Sequence, residues 1–456
     1  MKSGIKHFLM VYVILWLIAF VVISFLLSRG ERSFLDSSAF FFEIASSRRF
    51  LIAFHIVFLL CYSLFLSARY FRKVFLTKGK TIFLKQLSFR FILPILLVFT
   101  GYKTLAYSNT NDWYTFDWDA TVMNENGHVK NLYDVDKKHR GMSVFGWSED
   151  NQEAIDNLVH ANVEWVAVIP FLYQKDEKTK LVDIPENPEV YTRRDSSHIR
   201  AIQDLHKKGI RVQLKPHLWM NDGWRSNITL DNEVEWEAWF ESYRTNILRY
   251  ARIAEVTDTE LFCVGTELKT SIKKQPQKWE NLIGEIRQIY SGELTYAANW
   301  YDEYEHISFW KDLDYIGIQA YFPLTKVKNP DLKTIEKGWE KHLTVLESFH
   351  KKYDKPILFT EVGYRSDADA TIKPWEWNQF FGEITKKKSD QTQQLAYEAL
   401  FNKTWHQPWF AGVYIWQWDN RTMEESAQTD LDFSPRFKPA ENILAKWFGK
   451  SSNDKL

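Results

Sequence analysis

The chain has 456 residues, enough for one large domain and additional segments. Its 58 basic and 58 acidic residues cancel to a net charge of zero, so no basic excess points to nucleic acid. Its two cysteines, Cys61 in an apolar run and Cys263 in a predicted core strand, supply no disulfide framework.

In chain order, Phe8 to Ser28 is almost uninterrupted apolar sequence, long enough to span a bilayer. It exceeds a signal-peptide core and lacks a clear small-residue cleavage site, so it reads as retained. Phe50 to Ser67 is a second candidate span, with His55 as a polar helix contact. Phe91 to Ala106 is a third. It is short and carries Pro94 and Lys103, and a buried or interfacial helix is its alternative. The expected loop between the second and third segments holds Arg69, Arg72, Lys73, Lys78, Lys80, Lys85 and Arg90 and no acidic residue. The positive-inside rule makes it cytoplasmic, together with Lys2 and Lys6. Three spans then place everything after residue 107 outside the cytoplasm; without the third, the rest faces the cytoplasm. Residues 1–107 thus form a membrane region in contact with lipid. Residues 108–139 read as a linker packing on the large domain C-terminal to it, because Trp113, Phe116 and Trp118 argue against disorder.

Residues 140–450 alternate apolar runs with amphipathic segments. The expected strands are Gly141–Trp147, Val163–Phe171, Ile210–His217, Glu260–Thr266, Leu294–Trp300, Tyr315–Tyr321, Ile357–Glu361 and Gly412–Trp418. Expected helices cover Gln152–Ala161, Ser197–Lys208, Glu233–Ile253, Trp279–Tyr290, Tyr304–Leu313, Ile335–Lys352, Gln391–Thr404 and Ala440–Phe448. Asp195 and Asp390 read as caps. The strands are continuously apolar, as required when helices cover the sheet. Eight such repeats predict an α/β fold, a (β/α)8 TIM barrel preceded by transmembrane helices. A doubly wound sheet is the alternative, disfavoured because no glycine-rich phosphate loop follows the first strand.

Active sites of such barrels lie at the C-terminal strand ends. There the sequence turns polar and aromatic: Lys215-Pro-His217 and Trp219 after the third strand, Glu267 after the fourth, Asn299-Trp300 after the fifth. Gln319-Ala-Tyr321 ends the sixth strand, Glu361 the seventh and Trp416-Gln-Trp-Asp419 the eighth. Two carboxylates on separate strands are the equipment for cleaving a glycosidic bond: one protonated to donate to the leaving oxygen, one ionised to attack. Taken singly, Glu267 and Glu361 also fit strand-end ion pairs. His217 divides between structure and sugar binding, and Trp219, Trp224, Trp300 and Trp418 between stacking platforms and packing. Asp222, Arg225 and Asp419 fit subsite contacts or surface ion pairs. Asp314 reads as structural, and Lys386-Lys-Lys388 as a solvated turn. No His-Glu-x-x-His run, paired-cysteine motif or Gly-x-Ser-x-Gly elbow occurs, which disfavours metallohydrolase and esterase chemistry.

From Gly141 to Lys450 the chain resembles glycoside hydrolase family 113 of clan A. The matching segments are Leu214-Lys-Pro-His217, Val264-Gly-Thr-Glu-Leu268, Ala298-Asn-Trp300, Gln319-Ala-Tyr321, Phe359-Thr-Glu-Val-Gly-Tyr364, Tyr414-Ile-Trp-Gln-Trp418 and Ser434-Pro-Arg-Phe-Lys-Pro439. The resemblance implies a retaining β-mannanase on β-1,4-mannan. Glu267 would be the acid/base and Glu361 the nucleophile, with Tyr321 holding Glu361 ionised. Trp416 would be a stacking floor, and Lys215, His217 and Asn299 would bind sugar hydroxyls; among the other tryptophans, Trp300 is the next candidate platform on the residues alone. Many clan members have Asn directly before the acid/base; here Thr266 stands there, which leaves open the group that contacts the 2-hydroxyl. The expected partners are an oligo- or polysaccharide and membrane lipid, with no cofactor, no metal and no nucleic acid. A hydrolase of another β-glycan or envelope polysaccharide, or a carbohydrate-binding barrel without catalysis, are the alternatives.

Overall fold

A computed structural model describes residues 2–28, 37–38, 41–42, 45, 48–112, 114, 119–185, 187, 191–377 and 381–453. Trp113, Phe116 and Trp118 lie outside the described residues. The chain divides into two units, Met1–Lys103 and Thr104–Leu456.

In the first unit, helix Lys2–Ser28 is followed by Arg48–Leu87, a π-helical turn at Ser88–Ile92, and Leu93–Thr110, which runs on into the second unit. The expected loop is helical, but the long helix is broken at Gly79, whose φ of 76° is the left-handed region that glycine tolerates. There the chain folds back. Phe71 meets Phe91 with ring centroids 5.8 Å apart, and Tyr70 Oη donates to Gln86 Oε1 at 2.7 Å. Twenty residues of straight helix would separate such positions by about 30 Å. The basic residues therefore flank the tip of a helical hairpin. Tyr12 and Trp16 of the first helix pack on Phe54 and Phe58. Two stretches, Ile5–Leu26 and Phe50–Thr110, are long and apolar enough to cross a membrane by length and composition.

Among the described residues the second unit contains ten strands: β1 His139–Phe145, β2 Trp165–Val168, β3 Phe171–Gln174, β4 Arg211–Leu214, β5 His217–Met220, β6 Leu261–Thr266, β7 Glu293–Asn299, β8 Tyr315–Gln319, β9 Ile357–Val362 and β10 Phe410–Asp419. Eight of them close a parallel barrel in the order β1-β10-β9-β8-β7-β6-β4-β2. This is the (β/α)8 barrel expected from the alternating pattern. Two expected strands are each cut in two. Pro170 separates β2 from β3, and Pro216 separates β4 from β5. Proline has no N–H for the ladder, so the chain steps out of the barrel wall at both places. The pieces beyond the prolines pair as a separate parallel sheet, Phe171 with His217 through Gln174 with Met220.

Other expectations shift locally. The helix expected at Tyr304–Leu313 is two short 3-10 turns. Thr192, not Asp195, caps its helix; Asp195 answers from the third helical position, is buried and pairs with Arg249. Ser389, not Asp390, caps the helix Asp390–Thr404. Lys388 is not solvated: its buried ammonium donates to Asp390 at 2.8 Å and to the Ala427 carbonyl at 3.0 Å. Asp314 is structural as expected, binding Arg287 at 2.6 Å and the Leu294 N–H at 2.7 Å.

Much of the tryptophan is core. Trp239, Trp279, Trp310, Trp339, Trp405 and Trp418 are fully buried, and truncating one such ring costs about 3–5 kcal/mol. Trp418 is thereby removed from the candidate platforms.

Candidate active site

Two glycines explain how the two glutamates arrive at the rim. A Cβ on Gly265 would lie 2.8 Å from Trp279 and 2.9 Å from both the Tyr243 hydroxyl and Tyr296. A Cβ on Gly363 would lie 2.2 Å from the Trp416 carbonyl oxygen. The Val-Gly-Thr-Glu and Thr-Glu-Val-Gly runs thus need glycine for close packing beside the carboxylates. Glu267, just past β6, adopts a φ of 54°. A non-glycine residue held there costs on the order of 1–3 kcal/mol, and the surroundings must enforce it. Its N–H donates to the Ala297 carbonyl at 2.9 Å and its carbonyl accepts from Ser226 Oγ at 2.7 Å.

Barrel closure gathers the expected residues at the C-terminal strand ends. Glu361, in β9, is the most heavily contacted. Lys215 Nζ donates to its Oε1 at 2.6 Å, Tyr321 Oη to its Oε2 at 2.9 Å, and His217 Nε2 lies 3.3 Å from Oε1. Burial alone would raise the Glu361 pKa, but the Lys215 ammonium and the His217 contact hold it well below the ordinary carboxylate range. Burial in turn pushes His217 down to about 4, so its imidazole is neutral at pH 7. Its ring lies parallel to Trp416, 5.9 Å between centroids.

Lys215 departs from the expectation that it binds sugar hydroxyls. Its side chain is 0% exposed, and its three donors are spent on Glu361, on Gln319 Oε1 at 3.0 Å and on the Thr360 carbonyl at 2.9 Å. No N–H is left for a sugar. Asn299 gives its amide nitrogen to Glu303 and to Ser226 Oγ.

Glu267 has the opposite setting. Burial pushes its pKa up, the nearby Arg225 guanidinium pulls it down, and the charge on Glu361 pushes it up again; the net shift is upward. Arg225 Nη2 donates to Glu267 Oε2 at 2.5 Å, so Arg225 belongs to the site rather than to a surface pair. Asp419, by contrast, pairs with the exposed Arg421 at 2.7 Å. One carboxyl biased toward the ionised form beside another biased toward the protonated form is the division that acid and nucleophile roles require.

Further aromatic rings pack on residues of the rim. Trp300 is half-buried and packs on Trp375 at 5.1 Å between centroids, and Trp377 stands edge-on to Trp416 at 6.1 Å. Trp219, Trp224, Trp375 and Trp377 are exposed. Sequence reasoning missed Trp375 and Trp377, which lie in the long loop after β9 with no periodic pattern. It also missed Glu303, a buried carboxyl four residues past β7 that burial pushes up to about 7. Among the described residues, no group of three or more metal-ligating side chains gathers.

A fold and rim of this kind define a glycoside-cleaving enzyme, and the comparisons with known proteins specify which. The model of glycoside hydrolase family 113 matches residues 143–438, and the chain belongs to that family. A solved family 113 β-1,4-mannanase complex is 28% identical with a TM-score of 0.59, covering 68% of this chain and 98% of that one. The family 113 β-mannanase AaManA from Alicyclobacillus acidocaldarius, in complex with ManMIm, is 27% identical with a TM-score of 0.60, covering 68% of this chain and 97% of that one. No curated protein matches the chain.

Proposed function

We propose that the chain is a membrane-anchored retaining β-glycoside hydrolase acting on β-1,4-mannan or mannooligosaccharides. The observation that carries this is the opposed setting of the two glutamates: Glu361 held ionised by Lys215 and the His217 contact, Glu267 raised by burial. Glu361 attacks the anomeric carbon while Glu267 gives its proton to the departing glycosidic oxygen. The C–O bond to the leaving sugar breaks as the glycosyl–Glu361 bond forms. Glu267, now ionised, takes a proton from water, and the hydroxide oxygen displaces Glu361. Lys215 acts through Glu361, not on the sugar. Trp416 floors the cleavage point, Trp300 extends the platform and His217 faces the substrate hydroxyls; Asn299, its amide nitrogen spent on Glu303 and Ser226, has only its Oδ1 to offer a sugar hydroxyl. The mannan preference rests on the similarity to the two β-mannanases.

For the anchor, residues 1–107 form the membrane region, 108–139 the linker and 140–450 the catalytic barrel. The hairpin at Gly79 supports reading the second apolar stretch as two spans, three in all with the first helix. Its basic flanks support a cytoplasmic tip, which leaves the barrel outside the cytoplasm.

The test is cleavage of mannohexaose by the detergent-solubilised full-length chain beside Glu361→Gln, with NMR of the first anomer released. Cleavage with retention by the parent and none by the variant is expected. An inverted first product would sink the double displacement. No cleavage of mannan substrates beside cleavage of another β-glycan would sink the mannan assignment.

A further inference from the structure

The peptide bond that leaves Glu267 is gripped at both ends. Its carbonyl oxygen accepts from Ser226 Oγ at 2.7 Å, and its N–H, that of Leu268, donates to Tyr296 Oη at 2.6 Å. Both grips lead to one side chain. Tyr296 Oη in turn donates a hydrogen bond to Glu303 Oε1 at 2.6 Å. Ser226 Oγ accepts from Asn299 Nδ2 at 3.0 Å, and the same amide nitrogen donates to Glu303 Oε2. Glu303 Oε2 also accepts the Asn299 backbone N–H at 2.8 Å. In the first chain both donors run toward Glu303; in the second, Asn299 Nδ2 donates both to Glu303 and to Ser226 Oγ, which donates onward to the Glu267 carbonyl. Glu303 is 1% exposed.

That geometry has a specific effect. Glu267 sits at a φ of 54°, and the plane of the following peptide sets its ψ. Together the two angles aim its side chain. We propose that Glu303 is the positioning residue of Glu267, fixing the acid/base carboxyl on the leaving-group oxygen through Tyr296 and Asn299. The proposal rests on Glu267 being the acid/base. Only a carboxylate fits the position, because both its oxygens accept; an amide would face Asn299 or Tyr296 with a donor.

The experiment compares the full-length parent with Glu303→Gln, Tyr296→Phe and Glu267→Gln on two substrates. Mannohexaose needs its leaving group protonated. Dinitrophenyl β-mannoside does not, so its kcat/KM is insensitive to a misplaced acid. Glu303→Gln is expected to lose about 10–100-fold in kcat/KM on mannohexaose, the scale of a displaced catalytic group, while cleaving the dinitrophenyl substrate like the parent. Tyr296→Phe, which cuts one chain only, shows the same split with a smaller loss and serves if Glu303→Gln does not fold; thermal melts report folding. Equal losses on both substrates, or none, for folded variants would overturn the proposal. If Glu267→Gln itself shows no split, the acid/base assignment falls and takes the proposal with it. An intact split for Glu267→Gln beside parent-like Glu303→Gln overturns the proposal alone.

Discussion

Replacing Lys215 with Met keeps the aliphatic stem and removes the charge that Glu361 faces at 2.6 Å. The Glu361 side chain is 5% exposed, so water does not replace the cation. Removing one partner of a buried pair costs about 3–5 kcal/mol. An adjacent opposite charge lowers a carboxyl pKa by about 1–3 units, and that depression is lost. In the parent the folded pKa lies below the unfolded one; the stability Glu361 contributes is present above the unfolded pKa and is lost as pH falls through the folded one. In the variant only the His217 contact and the Tyr321 hydrogen bond still oppose burial, and the folded pKa rises. Between the two folded pKa values the variant binds a proton that the parent does not. Its stability deficit therefore shrinks by about 1.4 kcal/mol per unit as pH falls through that window. Urea denaturation followed by tryptophan fluorescence across the acidic range measures the deficit. The acidic limb of kcat/KM moves up by about 1–3 units in parallel. A deficit independent of pH, with an unmoved acidic limb, would refute the assignment of Lys215 as the counterion of the nucleophile.

Arg225→Met removes the guanidinium that lowers the Glu267 pKa, so the basic limb of the kcat/KM profile on mannohexaose is expected to move up by about 1–3 units; a downward shift would contradict the acid role of Glu267. Gly363→Ala forces a Cβ to 2.2 Å from the Trp416 carbonyl oxygen and is expected to destabilise by about 1–3 kcal/mol, read from thermal or urea midpoints. A Gly79→Cys variant in a background with Cys61 and Cys263 replaced by Ser tests the hairpin tip. A membrane-impermeant maleimide is expected to label it in inverted vesicles and not in intact cells, and the reverse pattern would place the barrel in the cytoplasm.

The barrel was legible because each wall strand is a continuous apolar run ending in polar residues, a local property of the sequence. The added β3–β5 sheet was not, although Pro170 and Pro216 marked both breaks; a proline shows where a ladder stops but not what the freed segment pairs with. Residues brought to the rim by strand ends, such as Glu267, Glu361, Tyr321 and Trp416, were found because the barrel predicts one shared location. Lys215 was placed at the rim but given the wrong partner, since only the structure shows its three donors spent inside the wall. Arg225 and Glu303 come from irregular segments, where no period ties a residue to a face. Their importance depends on groups 42 and 4 residues away in sequence, Glu267 and Asn299.

The counterions of the two glutamates belong to different parts of the fold. Lys215 is locked into the barrel wall between β4, β8 and β9, so the charge on Glu361 is as permanent as the barrel itself. Arg225 arrives on the excursion that begins where Pro216 ejects the chain, outside the wall. The working pH of the acid is thereby written in a segment outside the strands, one that Ser226, Ile228 and Leu230 nevertheless tie to the core. Exchanging Arg225 alone, with Ser226 kept, would retune when the enzyme works while leaving intact what it attacks with.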